Sequence, residues 1–213
     1  MSEYQQPALQ SPYTVCLLLY ENFDLLEVAS LIEIFAMLPE QFVIQLASEH
    51  AKPVQSQQGI RLDTDLSYYG AQEFNILVVP GGKSIENAVH NAPLVEWLSK
   101  QDHANRYICG LGTGTALLAK AGILADKSAT TNKRYFHWVS SFGEDVNWIP
   151  VARWVQDNRI FSSSGGTAAI DMTLALIAWL INEETARKAA INLEYIWIND
   201  PRDDPFAPLH LVE

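Results

Sequence analysis

Cysteine is scarce in this sequence, with two residues among 213, Cys16 and Cys109. Each lies inside an apolar run, where free cysteines are commonly buried and structural. Two such residues do not form the disulfide framework of a small secreted domain. We therefore expect both thiols to remain reduced and the protein to be cytoplasmic.

Lys and Arg residues are also few. The 14 Lys and Arg residues against 25 Asp and Glu residues give a net charge of -11. Such an excess of negative charge opposes binding to nucleic-acid phosphates and to anionic lipids. Direct nucleic-acid binding is therefore not expected.

Long hydrophobic runs are missing as well. The longest, Met172 to Ile181, is too short to span a bilayer. Residues 1–12 carry one charged side chain, Glu3, and lack the basic and apolar regions of a signal peptide. We expect no membrane association.

The sequence is instead rich in short apolar segments separated by helical patterns. Its length and 48% hydrophobic content suit one sizeable domain over residues 1–213, with a core at about 13–198 and an extended tail at 199–213. Buried strands are predicted at Tyr13–Tyr20, Phe42–Ala47, Ile76–Pro80 and Tyr107–Leu111. Helices are predicted at Leu26–Met37, after Ser84 and Pro93, at Ala168–Ile181 and at Glu183–Trp197.

This alternation predicts an α/β fold with a doubly wound, mostly parallel sheet and helices on both faces. The pattern changes at residues 54–62 and 151–161, where the turn pair Asp157-Asn158 predicts a hairpin. We expect the sheet to carry a small antiparallel extension.

Open α/β sheets bind ligands beyond the carboxyl ends of their strands. Three loops are expected to meet there, at residues 21–27, 80–84 and 110–115. The amides of Gly81, Gly82 and Thr113 could form a nest for a ligand oxygen. The alternative for Thr113 is an N-cap of the following helix.

Five motifs occur in order along the chain. They are Leu25-Leu-Glu-Val-Ala-Ser-Leu-Ile-Glu-Ile-Phe35, Val78-Val-Pro-Gly-Gly82, residues 112–124 with the sequence GTGTALLAKAGIL, Ala129-Thr-Thr131, and Ser164-Gly-Gly-Thr-Ala-Ala-Ile-Asp171. Through them the sequence, from Tyr13 to Phe206, resembles the ThiJ/PfpI superfamily, a glutamine amidotransferase-like group that includes isocyanide hydratase and amidase-like domains of AraC-type regulators. The resemblance implies a flavodoxin-like fold and a homodimer.

The resemblance also implies a cysteine nucleophile at the tip of a strand-turn-helix elbow, ten residues before Gly122. Gly112 occupies that position, and Asn132 stands where the superfamily frequently has a histidine. Glycine adopts the elbow's left-handed conformation easily, whereas a residue with a side chain pays about 1–3 kcal/mol. We predict an elbow that keeps its shape without the thiol. Cys109, three residues earlier in a strand, is expected to be buried and unreactive.

Glu27 matches the acidic residue that lies beside the nucleophile in the superfamily. A buried carboxyl there, with a raised pKa, could protonate or orient a ligand. The alternative is a solvated glutamate that favours the start of a helix.

No cofactor or metal is expected. Gly110-Leu-Gly112-Thr-Gly114 is not a dinucleotide-binding fingerprint, because Thr115 or Leu117 stands where the third Gly or Ala is needed and the later acidic residue is absent. The five histidines are scattered, without the spacing of metal ligands.

Two further predictions concern the C-terminal part. Asp171 could cap the turn at residues 164–167, with a role in packing as the alternative. Residues 200–206 are expected to be extended and acidic. Tyr195, Trp197 and Phe206 are either dimer contacts or aromatic core.

Three functions remain open. The first is a noncatalytic or regulatory protein that binds a small molecule. The second is a hydratase or amidase-like enzyme that uses Glu27 as acid or base. The third is the sensor half of a transcription regulator, although the α/β pattern leaves no room within the sequence for a DNA-binding module.

Overall fold

A computed structural model of the chain describes residues 12–70 and 73–210. The expectation that the sequence has no signal peptide concerns residues 1–12, of which 1–11 lie outside the described ranges. Residues 211–213 of the tail also lie outside them. The strands are β1 (Tyr13–Leu18), β2 (Phe42–Ser48), β3 (Val54–Gln55), β4 (Arg61–Leu62), β5 (Leu66–Ser67), β6 (Ile76–Val79), β7 (Tyr107–Gly110), β8 (Ser128–Ala129), β9 (Asn147–Trp148), β10 (Trp154–Asp157) and β11 (Ile160–Ser163). The helices are α1 (Leu25–Ala36), α2 (Ile85–Ala88), α3 (Ala92–Ser99), α4 (Thr115–Lys120), α5 (Phe136–Ser140), α6 (Ala168–Leu180), α7 (Glu183–Asn192) and α8 (Ala207–His210).

Seven strands form one sheet in the order β10-β11-β7-β6-β1-β2-β5. Each neighbouring pair is parallel except β10 and β11, which are antiparallel. Strands β6 and β7 are buried at every position, as expected for strands covered on both faces. The predicted flavodoxin-like α/β fold is confirmed.

Two hydrophobic cores lie on opposite faces of this sheet. Val15 and Leu17 of β1 belong to the core that includes α1 and α6. Cys16 and Leu18 belong to the core that includes α3 and α4. This division follows from the alternation of side chains along a strand. As a result, α1 and α4 reach the carboxyl edge of the sheet from opposite sides.

The sheet has a topological switch point at β1, which lies between β2 and β6. The loops after β1 and β6 are tied together there, because the Asp24 amide donates to the Gly81 carbonyl (2.9 Å) and the Lys83 amide to the Asn22 carbonyl (2.9 Å). Ligands of open α/β sheets bind at such points.

The predicted hairpin around Asp157-Asn158 is confirmed as β10 and β11, with a positive φ of 55° at Asn158. It is the antiparallel extension at one edge of the sheet. The segment at residues 54–62 behaves differently, because β3 and β4 pair only with each other. Strand β5 takes the edge position beside β2 instead.

Helix α7 ends at Asn192, five residues before the predicted end at Trp197. Glu194 has a positive φ of 51°, and the Tyr195 amide donates to the Ala190 carbonyl (2.9 Å). This left-handed residue stops the helix and turns the chain back toward α6.

The Asp171 side chain, on α6, binds the segment that follows α7. It does not cap the turn at residues 164–167, so that prediction is wrong. Its carboxylate accepts hydrogen bonds from the Ile198 amide (2.9 Å), the Tyr195 hydroxyl (3.0 Å) and Arg153 Nε (2.7 Å). Because this carboxylate is fully buried, these three donors and the Arg153 charge compensate for its lost hydration.

The tail is not extended, because residues 200–210 fold back and end in α8. Asp204 is buried, with Lys133 Nζ 3.7 Å from Oδ2 and Arg153 Nη1 3.9 Å from Oδ1. Lys133 Nζ also donates to the Ala152 carbonyl (2.5 Å) and Thr130 Oγ1 (2.6 Å). Burial lowers the pKa of Lys133 to about 8, and the Asp204 charge opposes this. Lys133, Arg153, Asp171 and Asp204 thus form a buried network of two positive and two negative side chains.

We predict that Asp204→Ala destabilises the fold by about 3–5 kcal/mol, because it leaves Lys133 and Arg153 buried with one carboxylate between them. Asp200→Ala is the matched control, because Asp200 is exposed and pairs with Arg202 at the surface. Urea unfolding followed by circular dichroism measures both. Equal free energies of unfolding for the two variants would contradict the prediction.

Candidate functional site

The predicted strand-turn-helix elbow is present after β7. Leu111 is extended, Gly112 has a positive φ of 47°, residues 112–114 form one 3₁₀ turn, and α4 begins at Thr115. A left-handed residue at this point favours glycine. Gly112 therefore holds the elbow without backbone strain.

Glu27 lies directly against Gly112. A Cβ added to Gly112 would overlap Glu27 Oε1 and would lie 3.6 Å from the Gly165 Cα. The carboxyl of Glu27 thus occupies the space in which a side chain at position 112 would begin. Two residues that are 85 positions apart in the sequence are brought into contact, as predicted.

Glu27 is placed by the start of α1. Asp24 caps this helix, accepting from the amides of Leu26 (2.9 Å) and Glu27 (3.3 Å). Glu27 is 3% exposed, so the alternative of a solvated glutamate is wrong. Its Oε2 accepts a hydrogen bond from the Gly81 amide (2.7 Å).

Burial raises the pKa of Glu27 to about 8, and the nearby Asp24 carboxylate adds to this shift. The amides of Gly81 and Gly166 oppose it, because they favour the charged form. A carboxyl with this pKa is mostly protonated at pH 7. It can therefore donate a proton as well as accept a hydrogen bond.

Gly81, Gly82 and Thr113 lie together, but two of their amides have partners within the protein. The Gly81 amide donates to Glu27, and the Gly82 amide donates to Thr113 Oγ1 (3.4 Å). The amide of Thr113 donates to no acceptor in the described part of the chain. Thr113 does not cap α4, whose N-cap residue is Gly114. That these three residues bind a ligand stays a prediction.

Gly81, in the loop after β6, is closely packed against Thr113 and Glu27. A Cβ there would lie 3.0 Å from the Thr113 nitrogen and 3.2 Å from Glu27 Oε2. Only glycine lets the loop after β6 approach both the elbow and the carboxyl this closely.

Asn132 reaches the site from the segment after β8. Its Oδ1 accepts the Arg134 amide (3.0 Å) and caps a 3₁₀ turn, while its side-chain amide packs on Gly165. An amide side chain does not act as a general base at neutral pH. Asn132 therefore has a structural role here.

The sequence did not single out Thr131 and Thr115 as site residues, although both occur in the quoted motifs. The hydroxyls of Thr131 and Thr115 each donate to the Gly112 carbonyl at 2.8 Å. Lys133 Nζ lies 3.3 Å from the Thr131 carbonyl, which links the buried ion network to the elbow. Thr115 lies three residues after Gly112, within one turn of it, whereas the proximity of Thr131 to Gly112 depends on tertiary folding.

A comparison with protein families matches residues 13–179 to the DJ-1/PfpI family. The chain belongs to the DJ-1/PfpI family. It is similar to isonitrile hydratase of Pseudomonas putida, with 28% identity over 84% of this chain and 76% of the relative. Among solved structures it is similar to a THiJ/PfpI family protein from Pseudomonas syringae, with a TM-score of 0.78 and 23% identity over 99% of this chain and 89% of that chain.

This member of the DJ-1/PfpI family is also similar to two transcription regulators of Pseudomonas aeruginosa. It is 28% identical to the HTH-type transcriptional regulator GbdR over 95% of this chain and 56% of the relative. It is 33% identical to the HTH-type transcriptional regulator CdhR over 59% of this chain and 37% of the relative. The chain thus spans about half or less of the length of these regulators.

Cys109 lies in β7 and is fully buried. Burial raises its pKa far above the ordinary value of a thiol, and burial raises the pKa of Cys16 to about 12. Thiols with such pKa values carry almost no thiolate at neutral pH. The expectation that Cys109 is buried and unreactive agrees with this environment.

In the described part of the chain, no group of three or more His, Cys, Asp and Glu side chains is arranged to hold a metal ion. None of the helices in residues 12–70 and 73–210 is long and apolar enough to cross a membrane.

We predict that Glu27→Gln becomes more stable relative to the wild type as the pH rises. Because the pKa of Glu27 is higher in the folded than in the unfolded protein, its protonation favours the fold, and this contribution is fully present below pH 4.5. The contribution is lost as the pH rises through the folded pKa of about 8. Glutamine resembles the protonated carboxyl and does not titrate. The difference in free energy of unfolding should therefore grow by several kcal/mol, to order of magnitude, across this range.

Urea unfolding from pH 5 to pH 9 measures this difference. Glu33→Gln, on the exposed side of the same helix, is the matched control. Parallel pH profiles for the wild type and Glu27→Gln would show that Glu27 does not titrate in this way.

Proposed function

We propose that this protein is a noncatalytic or regulatory small-molecule-binding member of the DJ-1/PfpI family. The observation that carries the proposal is the position of Glu27, whose carboxyl fills the space beside Gly112. With glycine at its tip, the elbow has no side chain at position 112 that could act as a nucleophile. The proposal therefore includes the loss of thiol chemistry at the elbow.

The surroundings of the elbow argue against turnover at this point of the structure. Gly112, Glu27 and Thr113 are all buried, and the two loop amides are engaged within the protein. An oxyanion hole requires donors aimed at a developing charge. Here the Gly81 donor is directed at Glu27 instead.

We expect neither thiol of the native protein to react with iodoacetamide at pH 7.5, because both are fully buried and have raised pKa values. Mass spectrometry after labelling measures the modification. The same reaction in urea is the control and should label both Cys16 and Cys109.

The companion measurement is a turnover screen with an isocyanide, an amide and a glyoxal. The proposal predicts no thiol-dependent turnover, and hence no effect of Cys109→Ala on any activity. Turnover that Cys109→Ala abolishes would falsify the proposal.

An enzyme that uses Glu27 as acid or base is the second candidate. It is favoured by the raised pKa of Glu27, which keeps a proton available at neutral pH, and by the similarity to isonitrile hydratase. Hydration or hydrolysis would then proceed without a covalent intermediate.

The same substrate screen with wild type and Glu27→Gln tests this candidate. General acid–base catalysis contributes roughly 10²- to 10⁴-fold, so an enzyme of this kind should lose activity to that extent in the variant. Equal product traces in both proteins would exclude it.

The sensor half of a transcription regulator is the third candidate, favoured by the similarity to GbdR and CdhR. In that case the protein would bind an effector while other parts of the system contact DNA. Homodimer formation and a cytoplasmic location belong to the proposal as expectations.

A further inference from the structure

A cavity of about 400 Å³ opens at the carboxyl ends of β1 and β2. Its walls come from the segments that follow these strands, from Tyr68 just after β5, from α2 and from the start of α3. This volume lies in the range of small-molecule sites. The cavity also lies at the edge of the sheet where α/β proteins bind ligands.

The cavity is separate from the elbow, and Tyr20 stands between the two. None of the residues that line it is Glu27, Gly112 or Thr113. Tyr20 lines the cavity, and its hydroxyl donates to the Pro80 carbonyl (2.9 Å), one residue before Gly81. A molecule in the cavity would therefore contact the residue that supports the loop holding Glu27.

The inner wall of the cavity is apolar. Leu19, Tyr68, Ala88 and Leu94 contribute to it, and each is less than a tenth exposed. Tyr68 is itself fixed by Trp97, whose ring centroid lies 5.1 Å from that of the tyrosine. Such a wall favours a ligand with an aromatic or otherwise apolar body.

Amide side chains supply hydrogen bonds beside this wall. Asn87 is exposed, and its side chain has no hydrogen-bond partner in the described part of the chain. Asn91 uses its oxygen to cap the Leu94 amide (3.2 Å), which leaves its NH₂ group as a donor. Together they offer both donors and an acceptor.

Charged side chains at the cavity disfavour an anion. Glu21 and Glu49 contribute two carboxylates, whereas Lys52 contributes one ammonium group. His50, the remaining titratable group with a basic ring, lies 3.9 Å from Glu49. The negative net charge of the chain acts in the same direction.

We propose that this cavity binds an uncharged small molecule that has an apolar, ring-sized body and an amide-type hydrogen-bonding end. The inference deepens the proposed binding function and rests on it. It places the ligand in the cavity beside Tyr20 and not at the elbow.

Benzamide and benzoate test the chemistry of the ligand, because they have the same shape and differ in charge. In a ¹H–¹⁵N NMR titration, benzamide should bind saturably, with a Kd on the order of 1 mM for so small a molecule. The shifted amides should be those of Tyr68, Asn87 and Asn91. Benzoate should bind roughly fivefold or more weakly, because of the two carboxylates.

Variants of the cavity test its location. Ala88→Phe should abolish benzamide binding by filling the cavity, and Asn87→Ala should weaken it roughly three- to tenfold by removing a hydrogen bond. Asn192→Ala is the matched control, because Asn192 is also an exposed asparagine on a helix, and it should bind as the wild type does. The NMR spectrum of each variant shows whether it is folded, and Asn87→Ala suffices if Ala88→Phe is not.

Three results would overturn the inference: no saturable benzamide binding, shifts centred on Glu27 and Gly165, or benzoate binding as tight as that of benzamide. Unchanged affinity in Asn87→Ala and a folded Ala88→Phe would also overturn it. Other results would contradict the proposed function. Thiol labelling or Glu27-dependent turnover would contradict that function while leaving benzamide binding in the cavity intact.

Discussion

The contact between the Glu27 carboxyl and the backbone of Gly112 is the constraint on which the rest of the site depends. The contact has this form because position 112 is glycine, since a Cβ there would displace the end of the Glu27 side chain. It also requires glycine at position 81, whose amide must come within hydrogen-bond distance of Oε2. Burial then favours a protonated carboxyl, since a neutral group loses less hydration than a charged one. Packing and protonation state are therefore two consequences of one contact.

The opposite side of the elbow depends on the distant end of the chain. The Thr131 hydroxyl donates a hydrogen bond to the Gly112 carbonyl. Lys133, a member of the ion network, donates to the Thr131 carbonyl. Lys133 in turn is buried beside Asp204, from the segment before α8. Buried charges of this kind are costly unless each has its partners. The C-terminal segment is therefore part of the architecture that supports the elbow and not an appendage to it.

Much of the fold was predictable, because strands covered on both faces and amphipathic helices leave periodic patterns in the sequence. The meeting of Glu27 with Gly112 was also predictable, since loops at the carboxyl ends of parallel strands converge. The early end of α7 at Asn192 and the role of Asp171 were not predictable. The end of α7 is a local turn at a left-handed Glu194, which the hydrophobic pattern does not mark. The hydrogen bonds of Asp171 join segments that are distant in the sequence. The burial of Asp204 in a polar tail escaped prediction for the same reason.

A filled elbow and an open cavity are compatible because they lie on different sides of Tyr20. The tyrosine ring faces the cavity, while its hydroxyl donates to the Pro80 carbonyl of the loop that holds Glu27. Any ligand whose binding shifts Tyr20 changes the environment of the Gly81 amide and hence of the carboxyl. Linkage makes such an effect reciprocal, so the protonation of Glu27 must alter the affinity of that ligand to the same extent. Because burial raises the pKa of Glu27 to about 8, this exchange of protons lies nearer to neutral pH than it would for an exposed glutamate. Under the proposed binding function, Glu27 at the elbow would be a titrating neighbour of the cavity.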